Sequence, residues 1–131
     1  MPPDSAVHLD DLLTADNPSS ETIAWLRDSF RRHLDGDSLP VAFGPGLRDA
    51  YHRHHWRQHI DAAISLLDQP SVSNLSIAKI LSAEFDRQRR TCRKPTEPLA
   101  RHVRSALSAY PSAASTADAL WHEVRRCRNS K

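Results

Sequence analysis

From residue 47 to residue 68 the chain contains neither proline nor glycine, and Gln69-Pro70 follows. A stretch that long with no helix breaker is committed to a helix, and the proline, which biases the residue before it away from helical geometry, marks its end. The apolar residues of this helix do not share one face. At about 100° per residue, Leu47, Ala50 and Tyr51 point one way, whereas Trp56, Ile60, Ala63 and Leu67 point nearly the opposite way. Such a helix either passes between two layers or breaks near His54.

The same punctuation divides the rest of the chain. Asn17-Pro18 reads as an N-cap with proline in the first turn, and Ile23, Leu26, Phe30 and Leu34 recur at helical spacing, giving a helix over residues 18–34 that Gly36 stops. Pro40, Gly44, Pro45 and Gly46 keep residues 35–46 out of a long helix, so Leu39, Val41 and Phe43 enter the core from a loop or short turn. Ser73 or Asn74 caps a third helix carrying Ile77, Ile80, Leu81 and Phe85. Pro95 and Pro98 fence off a basic linker, after which Thr96 caps a fourth helix with Leu99, Val103, Ala106, Leu107 and Tyr110, closed by Pro111. A capping box from Ser115 to Asp118 opens a last helix with Ala117, Leu120, Trp121, Val124 and Cys127 on one side. With only three glycines, 39% hydrophobic and 26% charged residues, the chain is too glycine-poor for strands and turns and too apolar for disorder.

The expectation is therefore an all-α, compact bundle of about five helices over residues 17–131, preceded by a flexible acidic arm over residues 1–16 with at most a short turn at 8–13. Trp25, Phe30, Ile60, Leu67, Ile80, Phe85, Val103, Leu107, Leu120 and Trp121 are the expected core.

The first thirteen residues hold three aspartates and no lysine or arginine, unlike an export signal. The longest near-apolar segment, residues 62–67, falls far short of the roughly 20 residues of a membrane span. A cytoplasmic protein with no membrane partner is expected, with Cys92 and Cys127 as free thiols. The net charge of +2 hides a split: residues 1–68 hold six Arg against eleven acids, and residues 69–131 hold twelve Lys or Arg against five. Either the basic half meets a polyanion or the halves neutralise each other within the fold.

Two constellations stand out. His52, His55 and His59 lie on one helical face at spacings of three and four, so their imidazoles could share zinc or nickel if a fourth ligand or water completed the set; equally, they edge the Trp56, Ile60 and Ala63 stripe, half-buried and hydrogen-bonded. The second is the basic run of Arg87, Arg89, Arg90, Arg93, Lys94, Arg101 and Arg104, in which Glu97 is the only acid between Arg87 and Arg104. Seven positive charges could neutralise nucleic-acid phosphates or meet an acidic protein surface, or could form a solvated helix end. Residues 75–81 and 99–107 together resemble the two helices of a helix-turn-helix reader, with Arg101, His102 and Arg104 facing the groove, although the connection is longer than the usual turn and contains two prolines. A second pairing makes the helix after Ser115 the reader, presenting Thr116, Asp118 and Ala119.

No catalytic motif is present. There is no phosphate-binding glycine loop and no G-x-S-x-G, and Arg126 stands where the second histidine of a metalloprotease motif beginning at His122-Glu123 must be. Asp35-Gly36-Asp37 lacks the other carboxylates of a calcium loop. Cys92 beside Arg93 and Lys94 has positive charge to lower its pKa but no base placed by the sequence. No enzyme and no cofactor are expected.

The order of residues 25–39, then Leu47-Arg48-Asp49-Ala50, then Ala83-Glu84-Phe85, resembles small helical proteins of unknown function encoded by bacteria and their phages. The likeness spans about two thirds of the chain through motifs of low specificity; it implies a helical fold and a bacterial or mobile-element origin, and it implies no activity and no site residues. The functional expectation is a non-enzymatic nucleic-acid-associated or regulatory protein that binds phosphates through the basic run. The alternative is a protein-binding inhibitor or adaptor module, of phage or mobile-element origin, acting on an acidic partner surface. Homo-oligomerisation is compatible with either.

Overall fold

The computed structural model describes residues 5–44 and 46–130. Among them every regular element is helical: α1 Ser5–Thr14, α2 Ser20–Leu34, α3 Leu39–Phe43, α4 Leu47–Leu67, α5 Asn74–Arg90, α6 Pro98–Ala109 and α7 Ala117–Asn129. Six of these have ten or more residues and α3 has five, so the chain is all-α with one more full-length helix than the spacing predicts. The additional one is α1, which occupies the segment expected to be an irregular arm. Residues 1–4 and Pro45, which entered those expectations, lie outside the described residues.

Most helix starts follow side-chain capping, displaced by one or two residues from several sequence expectations. Ser19, not Asn17, caps α2, its hydroxyl accepting from the Thr22 N–H at 3.2 Å. Ser73 caps α5 through the Ser76 N–H at 3.1 Å. Thr116 rather than Ser115 caps α7, accepting from Ala119 N at 3.2 Å, and Ser115 is buried instead. Glu97 takes the N-cap of α6 in place of Thr96 but makes no side-chain capping bond, and Pro98, which has no N–H to satisfy, begins the helix. After α2, Gly36 adopts φ +123°, a conformation that only glycine enters without steric cost.

The chain divides into two units, Met1–His54 and His55–Lys131. The change of apolar face along α4 marks that division. Unit 1 holds five Lys or Arg against nine acids and unit 2 thirteen against seven, so the charge split seen in the sequence follows the units.

In unit 1, α1 is fastened to α2 by polar contacts. Asp11 Oδ2 accepts from the Thr22 hydroxyl at 2.6 Å and from Ser19 N at 2.9 Å, and these bonds, the Thr22 hydroxyl first, hold the Asp11 carboxyl below its ordinary pKa. The single Thr22 hydroxyl proton is given to Asp11. His8 Nδ1, 3.0 Å from that oxygen, must then be the donor to it. An aromatic set follows: His8 stacks on Trp25 at 5.7 Å, and Phe43 meets Trp25 edge-on at 5.7 Å and Phe30 at 5.0 Å.

Unit 2 is built around α5. Ile77, Ala78, Leu81 and Phe85 of α5 pack with Ile60, Ala63 and Ile64 of α4, Val103 and Ala106 of α6, and Leu120, Val124 and Cys127 of α7, with Trp56 at the margin. Fully burying one aliphatic or Phe side chain is worth about 1.5–3 kcal/mol, so this cluster is the main source of stability in the unit. Of the expected core residues, Ile60, Phe85, Val103 and Leu120 are buried, while Leu67, Leu107 and Trp121 pack partly buried against them. Phe30 and Ile80 do not belong to the core: they are 49% and 44% exposed. Ile80 lies off the stripe that Ile77, Leu81 and Phe85 form at spacings of four, and that narrower stripe meets α6 and α7.

Ion pairs tie α7 to α4 and to the segment before α5. Arg126 reaches Asp61 at 2.6 Å and Glu123 at 2.8 Å. Arg128 reaches Asp68 at 2.8 Å and also donates to Asn74 Oδ1 and the Gln69 carbonyl. Part of the basic excess of the C-terminal half is thus neutralised inside the fold.

Candidate functional site

The seven cations of the basic run lie on the last turns of α5, the 91–97 connection and the first half of α6, and the fold gives them unequal work. Arg87 is held by Glu84 one turn back, Nε to Oε2 at 2.9 Å and Nη2 to Oε1 at 2.6 Å. This two-pronged bond raises the Arg87 pKa and lowers that of Glu84. Arg89 pairs with Asp86 at 3.6 Å and lies over the Phe85 ring at 5.8 Å. Arg104 is a brace: its Nη2 donates to the carbonyls of Thr91 at 2.9 Å and Arg93 at 3.1 Å. Two carbonyls gripped by one guanidinium fix the shape of the connection, which has no regular structure of its own.

Arg90, Arg93, Lys94 and Arg101 remain. All four are exposed and have no ion-pair partner among the described residues. Lys94 sits on two concavities. The first, a cleft of about 210 Å³, is lined by Arg87, Gln88, Arg93, Lys94, Thr96 and Glu97 among others. The second is a more open groove along Lys94, Thr96, Arg101, Arg104 and Ser105. The connection therefore presents free positive charge to both concavities, and the Arg104 that braces it also lines the second.

No family model, curated protein or solved structure matches the chain. The site must be read from its own chemistry.

The helix-turn-helix likeness loses most of its reader. The two helices are α5 and α6, but seven residues, 91–97, separate them, against the three or four of that motif. Of the three residues expected to face a groove, only Arg101 is free; Arg104 braces the connection and His102 turns toward α4. In the second pairing, Thr116 is used as the cap of α7.

The histidine constellation is also rearranged. Among the described residues no group of three His, Cys, Asp or Glu side chains could hold a metal ion, so His52, His55 and His59 do not form the ligand set that their spacing allows. His59 pairs instead with His102 of α6, Nδ1 to Nδ1 at 3.3 Å with ring centroids 5.6 Å apart. One ring must donate and the other accept, so the contact exists only while at least one imidazole is neutral. Burial first, then the neighbouring His102 and His55, push the His59 pKa below its ordinary value. His102 is 43 positions away, and nothing local in the sequence announces that partner. Both cysteines are free thiols, Cys92 exposed and Cys127 buried. No helix among the described residues is long and apolar enough to cross a membrane.

Proposed function

We propose that the protein is a non-enzymatic nucleic-acid binder whose contact face is the 91–97 connection with the adjoining turns of α5 and α6. The observation that carries this reading is that the cations of the basic run divide into spent and unspent, and that the unspent ones adjoin one braced connection. Arg87, Arg89, Arg126 and Arg128 face carboxylates, while Arg90, Arg93, Lys94 and Arg101 face none and cluster in sequence around one braced connection. Cations left unpaired bind phosphates by displacing condensed counterions, without base contacts and without a groove-filling helix. The brace matters because a fixed loop has already lost the conformational entropy that binding would otherwise cost. Glu97 is the one acid at the site, and it is exposed at the end of the cleft-lining segment.

The test is fluorescence anisotropy with labelled random-sequence DNA and RNA at low and moderate salt, comparing the wild type with a variant in which Arg90, Arg93, Lys94 and Arg101 are all alanine. The reading expects salt-sensitive binding by the wild type and its loss in the variant. No binding at low salt sinks it and turns attention to an acidic protein surface as the partner.

A further inference from the structure

The first cleft contains more than cations. At about 210 Å³ it is smaller than the roughly 300–1,000 Å³ that encloses a whole small-molecule ligand, and it suits one sugar–phosphate unit of a longer chain. Arg93 and Lys94 supply its free positive charge. Gln88 and Glu97 line it as well, and each has a side-chain acceptor that no group of the protein hydrogen-bonds. Gln88 is 3% exposed; its Nε2 donates to Glu84 Oε1 at 2.9 Å, and its buried Oε1 has no partner. The Glu97 carboxylate makes no capping bond to α6. A buried acceptor left without a donor is destabilising, and a carboxylate in a cleft for phosphate opposes the ligand's charge.

A phosphodiester offers acceptors only, so it leaves both groups idle. A ligand that joins an anion to a hydroxyl donor uses the cations and the exposed Glu97 carboxylate together. The ribose 2′-hydroxyl is such a donor, adjacent to a phosphate in RNA and missing from DNA. We infer that the cleft takes one ribose–phosphate unit, its phosphate on Arg93 and Lys94 and its 2′-hydroxyl donating its one proton to the Glu97 carboxylate, so that the protein selects RNA over DNA. This rests on the phosphate-binding reading above.

The experiment compares single-stranded RNA, the DNA of identical base sequence without uridine or thymidine, and the same RNA 2′-O-methylated, against the wild type and Glu97→Ala. RNA is expected to bind about tenfold more tightly than DNA, the effect of one hydrogen bond to a charged group, and the methylated RNA should bind like DNA. Glu97→Ala separates the donor contact from plain charge: with one negative charge fewer, DNA binding tightens, while the RNA-to-DNA ratio falls toward one. Equal binding of RNA and DNA by the wild type overturns the inference and leaves the phosphate reading standing. Glu97→Ala tightening both nucleic acids by the same factor also overturns it, and binding of neither sinks both readings.

Discussion

Replacing Arg101 by alanine should change how steeply binding depends on salt, and replacing Arg87 should not. Each phosphate neutralised contributes a slope of about −0.9 on duplex DNA and about −0.7 on a single strand in a plot of log affinity against log salt. Four cations of the basic run lack acid partners, so the wild-type slope on duplex should be about −3.6, an affinity loss of about 150-fold between about 50 and 200 mM salt. Arg101→Ala removes one free cation, which lowers the slope to about −2.7 and the loss to about 40-fold. Arg87 already faces Glu84 through two hydrogen bonds. Its removal exposes the Glu84 charge and weakens binding without removing a phosphate contact, so the contact count that sets the slope is kept. Anisotropy titrations at four or more salt concentrations, with urea curves to establish that both variants fold, give the slopes directly. A wild-type slope near −6, as expected if all seven cations met phosphates, would show that the ion pairs on α5 open on binding. Equal slope changes for Arg87→Ala and Arg101→Ala would refute the division into spent and unspent cations.

Three further outcomes test the fold. Ile77→Ala should cost about 2–5 kcal/mol, because Ile77 is fully buried, whereas Ile80→Ala, at a 44% exposed position, should cost under about 1 kcal/mol; urea midpoints measure both, and equal losses would contradict the packing of α5. The depressed His59 pKa means that the unfolded chain binds the proton more readily than the fold does. The neutral ring's contribution is therefore complete above the ordinary histidine value of about 6.5 and is lost as pH falls through the lower folded value. Stability should drop between pH near 7.5 and pH near 5 by more in the wild type than in His59→Gln, and matching profiles would refute this. Asp11→Ala removes the acceptor shared by Ser19 N and the Thr22 hydroxyl, so amide exchange should quicken in α1 and the first turn of α2 but not in α5. Protection unchanged in α1 would show that the polar fastening is not what orders it.

The all-α character and most helix boundaries were legible because prolines, glycines and small polar caps act locally. The stripe of Leu120, Val124 and Cys127 followed from helical spacing for the same reason. What the wheel does not contain is how wide a stripe the neighbours will cover. Ile80 and Phe30 sit at the edges of their stripes, and edge positions are decided by where other helices land. The α1 helix is not legible because its fastening is polar and nonlocal: Asp11 bonds to Ser19 N and the Thr22 hydroxyl at the start of α2, which no periodicity reveals. For the candidate site, the basic run itself was visible, but its division was not. Glu84 and Asp86 stand three positions before Arg87 and Arg89, a spacing at which helical side chains meet, so those two pairings could have been read in advance. The Arg104 brace and the His59–His102 pair could not, because both join segments that only the tertiary fold brings together.

We propose that the 91–97 connection and its flanking turns receive nucleic-acid phosphates. The most direct measurement is an amide NMR titration of the whole protein with a short single-stranded RNA at low salt. Shift changes concentrated in residues 87–105 and reversed by added salt are expected. Changes centred elsewhere, on α2 or α7 for example, or no change at all, would contradict it.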